Sequence, residues 1–213
     1  MNQKAVLEMK INNDIQQYIT TNVLPQYSDD TSGHGIAHIE YVMRRCKAFA
    51  DQLDGIDPDV LYTAAAYHDL AHKIDKRNHE TLSAQIFLQD EAIKQFFTDD
   101  EIIIIREAIE DHRASADHKP RSVYGEILSS ADRSTSVNEF LQRTHQYTLK
   151  HFPESTQAEI LDRAINHASE KYGSNGYAKH YLPDPEYDDF IKEMQLLLND
   201  TERFTERYLK VNK

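Results

Sequence analysis

The chain has 213 residues, 28% of them Asp, Glu, Lys or Arg, and a formal net charge of −12 with His neutral. That length suffices for one domain with a full apolar core, the acidic excess disfavours an extended nucleic-acid surface, and the single cysteine, Cys46, excludes an intrachain disulfide. The N-terminal stretch carries Lys4, Glu8 and Lys10 without an apolar run of its own, so it does not read as a signal peptide. The longest aliphatic run, Ile102 to Ile105, is far below the roughly 20 residues that a membrane span needs. These features predict a cytoplasmic protein with no membrane association. A small phosphorylated substrate stays compatible with the acidic surface, because charges beyond about 8–10 Å are screened from a local cluster of Lys and Arg.

Helical periodicity runs through the chain, and no alternating strand pattern or internal repeat interrupts it. A first helix is predicted over 3–22, with Pro25 and Gly33 separating it from a second over 36–53. The stripe of the second is Ile39, Val42, Cys46, Phe49 and Leu53, with His38 at its N-terminal edge. Asp57-Pro58 starts a third helix over 58–72, where Leu61, Ala65 and His68 share a face and His72 lies one turn beyond. The fourth spans 79–96. Thr98 with Glu101 is a capping-box pair for the fifth, 98–112, on which Ile105, Ala108, Ile109 and His112 share a face. The sixth, 121–133, sets Leu128 and Asp132 four residues apart. Ser136 with Glu139 starts 136–151, and two more helices follow over 155–172 and 186–210. Between these two lies 173–185, rich in Gly, Tyr, His and Pro, which reads as a lid or as a packed connection. Phe190, Met194, Leu197, Phe204 and Tyr208 on the last helix suit packing on the core or on a second copy in a homodimer.

Side chains three or four residues apart on a helix project together, so His38, His68, His112 and Asp132 each continue a core-facing stripe near a helix end. A lone His on such a stripe is more often a hydrogen-bonded core residue, and Cys46 reads as a core thiol. Several inward polar groups on separate helices are a different matter, since each costs free energy unless something satisfies it. One divalent metal would satisfy His38, His68, Asp69 and Asp132 together. Two imidazoles and two carboxylates suit Mn, Fe, Co, Ni or Zn, and Mg more weakly. Water bound to such an ion is a usable nucleophile near neutral pH, so these residues predict metal-assisted hydrolysis.

The order His, His-Asp, Asp on an all-helical chain resembles the HD-domain superfamily of metal-dependent phosphohydrolases. It is matched by His38, His68-Asp69 and Asp132, and by the phrases His34-Gly35-Ile36-Ala37-His38 and Ser130-Ala131-Asp132-Arg133, over about residues 30–135. The resemblance implies an all-α, single-domain HD-type bundle with the metal between helices. The domain would be 1–213, with its HD core at about 30–135 and 136–213 adding C-terminal helices that complete it. It also implies hydrolysis of phosphomonoesters, phosphodiesters or nucleotide anhydrides. The C-terminal part, with Asn175-Gly176-Tyr177-Ala178-Lys179, is similar to that of small bacterial HD proteins of unassigned substrate. His72, three residues after Asp69, resembles the dNTP triphosphohydrolase branch, in which such a His lies beside the phosphates.

Within this reading Asp69, His72 and His112 are the catalytic candidates. Asp69 would orient or deprotonate the water, and either His would stabilise charge or protonate the leaving group. His34, Arg113, Lys119 and Arg121 are the substrate candidates, because guanidinium and ammonium groups bind phosphate oxygens; Arg133 beside Asp132 extends the set. The expected substrate is a nucleotide. Two further readings keep the fold. A di-iron oxygenase needs five or six protein ligands, so His72, His79 or His112 would join, although the spacing of His79 and His112 does not clearly match that pattern. A non-catalytic nucleotide-binding module is the other, and the complete set of four metal residues argues against it.

Overall fold

A computed structural model describes residues 10–27 and 34–213, and among these every regular element is a helix, so the fold is all-α as expected. The predicted start at residue 3 and the break at Gly33 lie outside the described residues. Among the described residues no helix is long and apolar enough to cross a membrane. The chain forms two compact units.

The first unit, residues 10–27 and 34–132 with 180–182, holds the larger core. Helix α1 (Asn13–Tyr18) is capped by Asn12, whose side chain accepts from the Asp14 amide. It widens into a π turn, Ile19–Val23, and tightens into a 3-10 turn, Leu24–Tyr27. Next come α2 (Ile36–Ala50), α3 (Pro58–Tyr67), α4 (His79–Gln89), α5 (Glu91–Lys94), α6 (Asp99–Asp111) and α7 (Val123–Ala131). Asp57 caps α3 through the amides of Asp59 and Val60, with Pro58 in the first turn. Thr98 and Glu101 close the capping box of α6. Helix α6 packs on α3, α4 and α7, and α2 packs on α3 and α7. Leu61, Ala64, Ala65, Phe87, Ile105, Ile109, Ile127 and Leu128 fill the space between them.

The second unit, residues 133–179 with 183–213, contains α8 (Val137–His151), α9 (Gln157–Tyr172), α10 (Pro185–Leu198) and α11 (Thr201–Val211) around Phe140, Leu141, Ile160, Tyr172, Phe190, Met194, Phe204 and Tyr208. Ser136 caps α8 on the Glu139 amide, as its spacing predicts. After α9, the amides of Tyr177 and Ala178 bond back to the carbonyls of Glu170 and Lys171. A Cβ at Gly176 would sit 2.5 Å from the Lys171 carbonyl oxygen, so the return admits only glycine there.

Three predicted helices are shorter than the apolar periodicity suggests. The segment 58–72 leaves the helix after Tyr67. The segment 79–96 divides at Asp90, which ends α4 and caps α5 on the amides of Ala92 and Ile93. The segment 186–210 divides before α11, where the Asp200 side chain accepts from the Arg203 amide. In each of the last two cases a carboxylate restarts the helix without interrupting the apolar stripe.

Phe87 is fully buried and meets the Tyr67 ring edge-on at 5.4 Å. Phe87→Ala is expected to lower the unfolding free energy by about 3–5 kcal/mol. Ile103→Ala, at a side chain that is 45% exposed, should change it by no more than about 0.5 kcal/mol. Urea unfolding of both variants checks this.

Candidate metal centre

Asp69 is the hub of a cluster of imidazoles. Its Oδ2 lies 2.7 Å from His34 Nδ1, 3.5 Å from His68 Nε2 and 3.6 Å from His38 Nε2. Its Oδ1 lies 3.3 Å from His79 Nε2 and 3.6 Å from His112 Nε2. Asp132 Oδ1 approaches His38 Nε2 at 3.1 Å. Three overlapping groups each bring one ligand atom per residue within 4.8 Å of the others: His34, His38 and Asp69; His38, His68 and Asp132; His68, Asp69 and His112.

Each residue is delivered by a helix end. His38 sits in the first turn of α2. His68, His112 and Asp132 are the C-terminal caps of α3, α6 and α7. His79 opens α4. The C-terminal caps matter electrostatically, because a helix C-terminus carries partial negative charge and favours a cation.

The tautomers follow from the carbonyls. His68 Nδ1 lies 2.8 Å from the Ala65 oxygen, His112 Nδ1 2.6 Å from that of Ile109, and His79 Nδ1 3.2 Å from that of Lys76. A carbonyl only accepts, so each Nδ1 carries the proton and each Nε2 presents a lone pair toward Asp69. The Nε2 of His68 is buried with no hydrogen-bond partner, and that of His38, equally buried, meets only the Asp132 carboxylate at 3.1 Å, without hydrogen-bond geometry. Two buried nitrogens left in this way, beside two carboxylates, are what a cation would satisfy. The residues present therefore fit a divalent metal.

Proton affinities agree. Burial pushes His68 down to about 4 despite the charges of Asp69 and Asp132. Burial and the neighbouring His34 take His72 to about 3. Burial and His112 lower His79. Burial also opposes ionisation of Asp69 and Asp132, but the histidines around them outweigh it and hold both carboxyls well below the usual carboxylate range. His112 differs: burial lowers it most, yet the hydrogen bond and charge of Asp69, the charge of Asp132 and the Ile109 carbonyl together outweigh burial and leave it raised.

The other predicted residues fall into two groups. His34 and His72 stack at 3.7 Å between ring centroids, beside the hub. Arg113, Lys119 and Arg121 lie on the loop after α6 and hold carboxylates. Arg113 donates to Glu80 and to the Arg77 carbonyl, and Lys119 pairs with Glu126. Arg121 donates to Glu110 and to Asp111, which is buried beneath it. Substrate contact by any of the three would require exchanging these partners. Arg133 is buried, with Nε donating to the Lys179 carbonyl at 3.0 Å. Cys46 is a buried thiol whose proton affinity burial raises, as expected of a core residue. His79, which the sequence offered only as an extra ligand of the oxygenase reading, joins the cluster. Its position at the start of a helix also suits an ordinary surface residue, and the packing of α4 on α6 and α3 brings it to Asp69.

Residues 35–136 match the model of the HD domain. No curated protein and no solved structure is significantly similar to the chain.

The folded protein refuses protons that the unfolded chain accepts. Unfolded imidazoles titrate near 6.5, whereas folded His68 and His72 titrate near 4 and 3. Stability of the metal-free protein is therefore expected to fall as pH drops from about 6.5 to about 4, by about 1.4 kcal/mol per unit for each such group. The raised His112 contributes fully below 6.5, and the lowered Asp69 and Asp132 lose their contribution only below about 4, so neither reverses the sign. Urea midpoints with chelator at pH 7.5 and pH 5 check this, the lower midpoint being expected at pH 5.

Proposed function

We propose, from the match of residues 35–136 to the HD domain, that the chain is an HD-type metal-dependent phosphohydrolase that hydrolyses a phosphate bond of a small metabolite, a nucleotide. The observation that carries the reading is the buried Nε2 of His68, which has no hydrogen-bond partner, and that of His38, which meets only the Asp132 carboxylate, beside the ionised Asp69 and Asp132. These four residues would hold the ion. When bound, the ion supplies Lewis acidity toward a phosphoryl oxygen and acidifies a water.

The chain's own residues supply the rest. Asp69, ionised and aimed by His34, is a proton acceptor for the attacking water. His72, kept neutral by burial and by its neighbour His34, has a ring nitrogen to donate to or accept from a phosphoryl or leaving-group oxygen. His34 is more exposed than His72, at 28% of its side chain, and is the candidate for first contact with substrate. Arg113, half-buried and next to His112, is the candidate phosphate anchor of the loop. His112, at 1% exposure, faces Asp69 and acts on the centre itself.

A second reading of the ion count has a specific observation behind it. His79 and His112 bring Nε2 atoms to 3.1 Å of each other, with both Nδ1 protons committed to carbonyls. Two lone pairs at that distance repel unless a proton or a cation lies between them. Asp69 Oδ1, His79 and His112 would hold a second divalent ion, with Asp69 shared.

Phosphate release from nucleoside mono-, di- and triphosphates, with Mn, Co, Ni or Mg supplied in turn, tests the reading. Wild-type protein is expected to release phosphate or pyrophosphate with at least one metal. Asp69→Ala should lose more than about a hundredfold of that rate together with its bound metal. Metal analysis of His79→Ala reads the count. A fall from two ions per chain to one supports the second site, and an unchanged single ion removes it.

A further inference from the structure

The backbone around His68 and Asp69 is held by two hydroxyls from elsewhere in the chain. In a continuing α-helix the Leu70 amide would bond to the Ala66 carbonyl and the Ala71 amide to that of Tyr67. Here Leu70 N–H bonds one residue short, to the Tyr67 carbonyl at 3.2 Å. That frees the Ala66 oxygen and deprives the Ala71 amide of its acceptor. The phenol of Tyr27 donates to the Ala66 oxygen at 2.9 Å, and Ser83 Oγ accepts from the Ala71 amide at 3.0 Å. Both side chains are buried, Tyr27 at 3% and Ser83 at 0% exposure. The Ala65 oxygen is taken by His68 Nδ1. The Ala65 and Ala66 carbonyls and the Ala71 amide thus each have a side-chain partner, as buried polar groups require.

We propose that Tyr27 and Ser83 are positioning residues, whose hydroxyls fix the turn that presents His68 and Asp69 and thereby set the metal affinity of the centre. The proposal rests on the metal-site reading above for its second half only. Tyr27 lies before the segment 35–136 that matches the HD domain, and Ser83 lies within it. The Asp69 amide faces the Tyr27 oxygen and opposes the rise in its proton affinity that burial and the Asp69 carboxylate cause, which places the phenol against the doublet itself.

The same segment supplies a matched control. Tyr18 donates to Asp90 at 2.8 Å, as Tyr67 does at 2.6 Å, without touching the backbone of the turn. Tyr27→Phe, Ser83→Ala and Tyr18→Phe are compared in two measurements. In the metal-free protein, hydrogen exchange of peptides covering residues 64–74 is expected to speed up in Tyr27→Phe and in Ser83→Ala and to match wild type in Tyr18→Phe. Titration with Co(II) against a chelator is expected to show about tenfold weaker binding and an altered visible spectrum in the first two variants, and neither change in the third. Wild-type exchange and Co(II) affinity in Tyr27→Phe and Ser83→Ala would overturn the proposal, as would an equal effect of Tyr18→Phe. If one of the two positioning variants does not fold, the other still decides. Wild-type protein that fails to bind Co(II) would sink the metal reading and the proposed control of affinity, while the exchange data would still judge the brace.

Discussion

Two ionised carboxylates buried among imidazoles are the constraint around which the first unit is built. Asp69 is 3% exposed, and a buried carboxylate without compensation costs far more than a domain's ordinary margin of stability allows. The chain compensates with five surrounding histidines, His34, His38, His68, His79 and His112, and with the geometry that brings them there. Helices α3, α6 and α7 all stop at the centre, on His68, His112 and Asp132. Their C-termini add partial negative charge instead of relieving it. The arrangement makes sense around a cation and is expensive around anything else.

Ending helices inside a protein has its own cost, because the last carbonyls lose their partners. The histidines solve part of that problem while serving the centre. His68 bonds to the carbonyl three residues earlier, and so does His112. His79 repeats the pattern with Lys76 in the turn before α4. One contact thus does two things. It satisfies a carbonyl oxygen and it fixes the ring with its proton on Nδ1, leaving Nε2 to face Asp69. The position of a ligand at a helix end and its tautomer are therefore the same structural fact.

This explains which parts of the centre were legible in the sequence. His38, His68 and Asp132 stand out because each continues an apolar stripe at spacings of three and four, and the set of four with Asp69 is legible because the order His, His-Asp, Asp resembles the HD-domain superfamily. Helix starts at Asp57, Thr98 and Ser136 are legible too, since each signal spans only a few residues. The breaks at Asp90 and before α11 are not, because a carboxylate on an apolar-periodic segment looks like an ordinary exposed position. His79 and Tyr27 depend on contacts across 33 and 39 residues, respectively, and no local pattern marks such partners. Arg121 shows the opposite effect. Its charge and neighbours resemble an anchor for phosphate, and the buried Asp111 that occupies it hides at the end of α6 in the run Glu110-Asp111-His112.

The charge state of the centre bears on what it can accept. Asp69 and Asp132 contribute two negative charges, and neutral His68, His72 and His79 contribute none. One divalent ion balances the carboxylates and leaves little net attraction for a phosphate dianion, on a chain whose formal charge is −12. An anionic substrate then depends on donors arranged locally, of which His34 and His72, stacked beside Asp69, are two. A second ion at Asp69, His79 and His112 would displace the proton that His112 is poised to hold and make the centre positive. The ion count is therefore more than a matter of inventory. It determines whether phosphate binds through the metal charge or through the side chains, and the 3.1 Å approach of His79 to His112 is where the structure makes that choice physical.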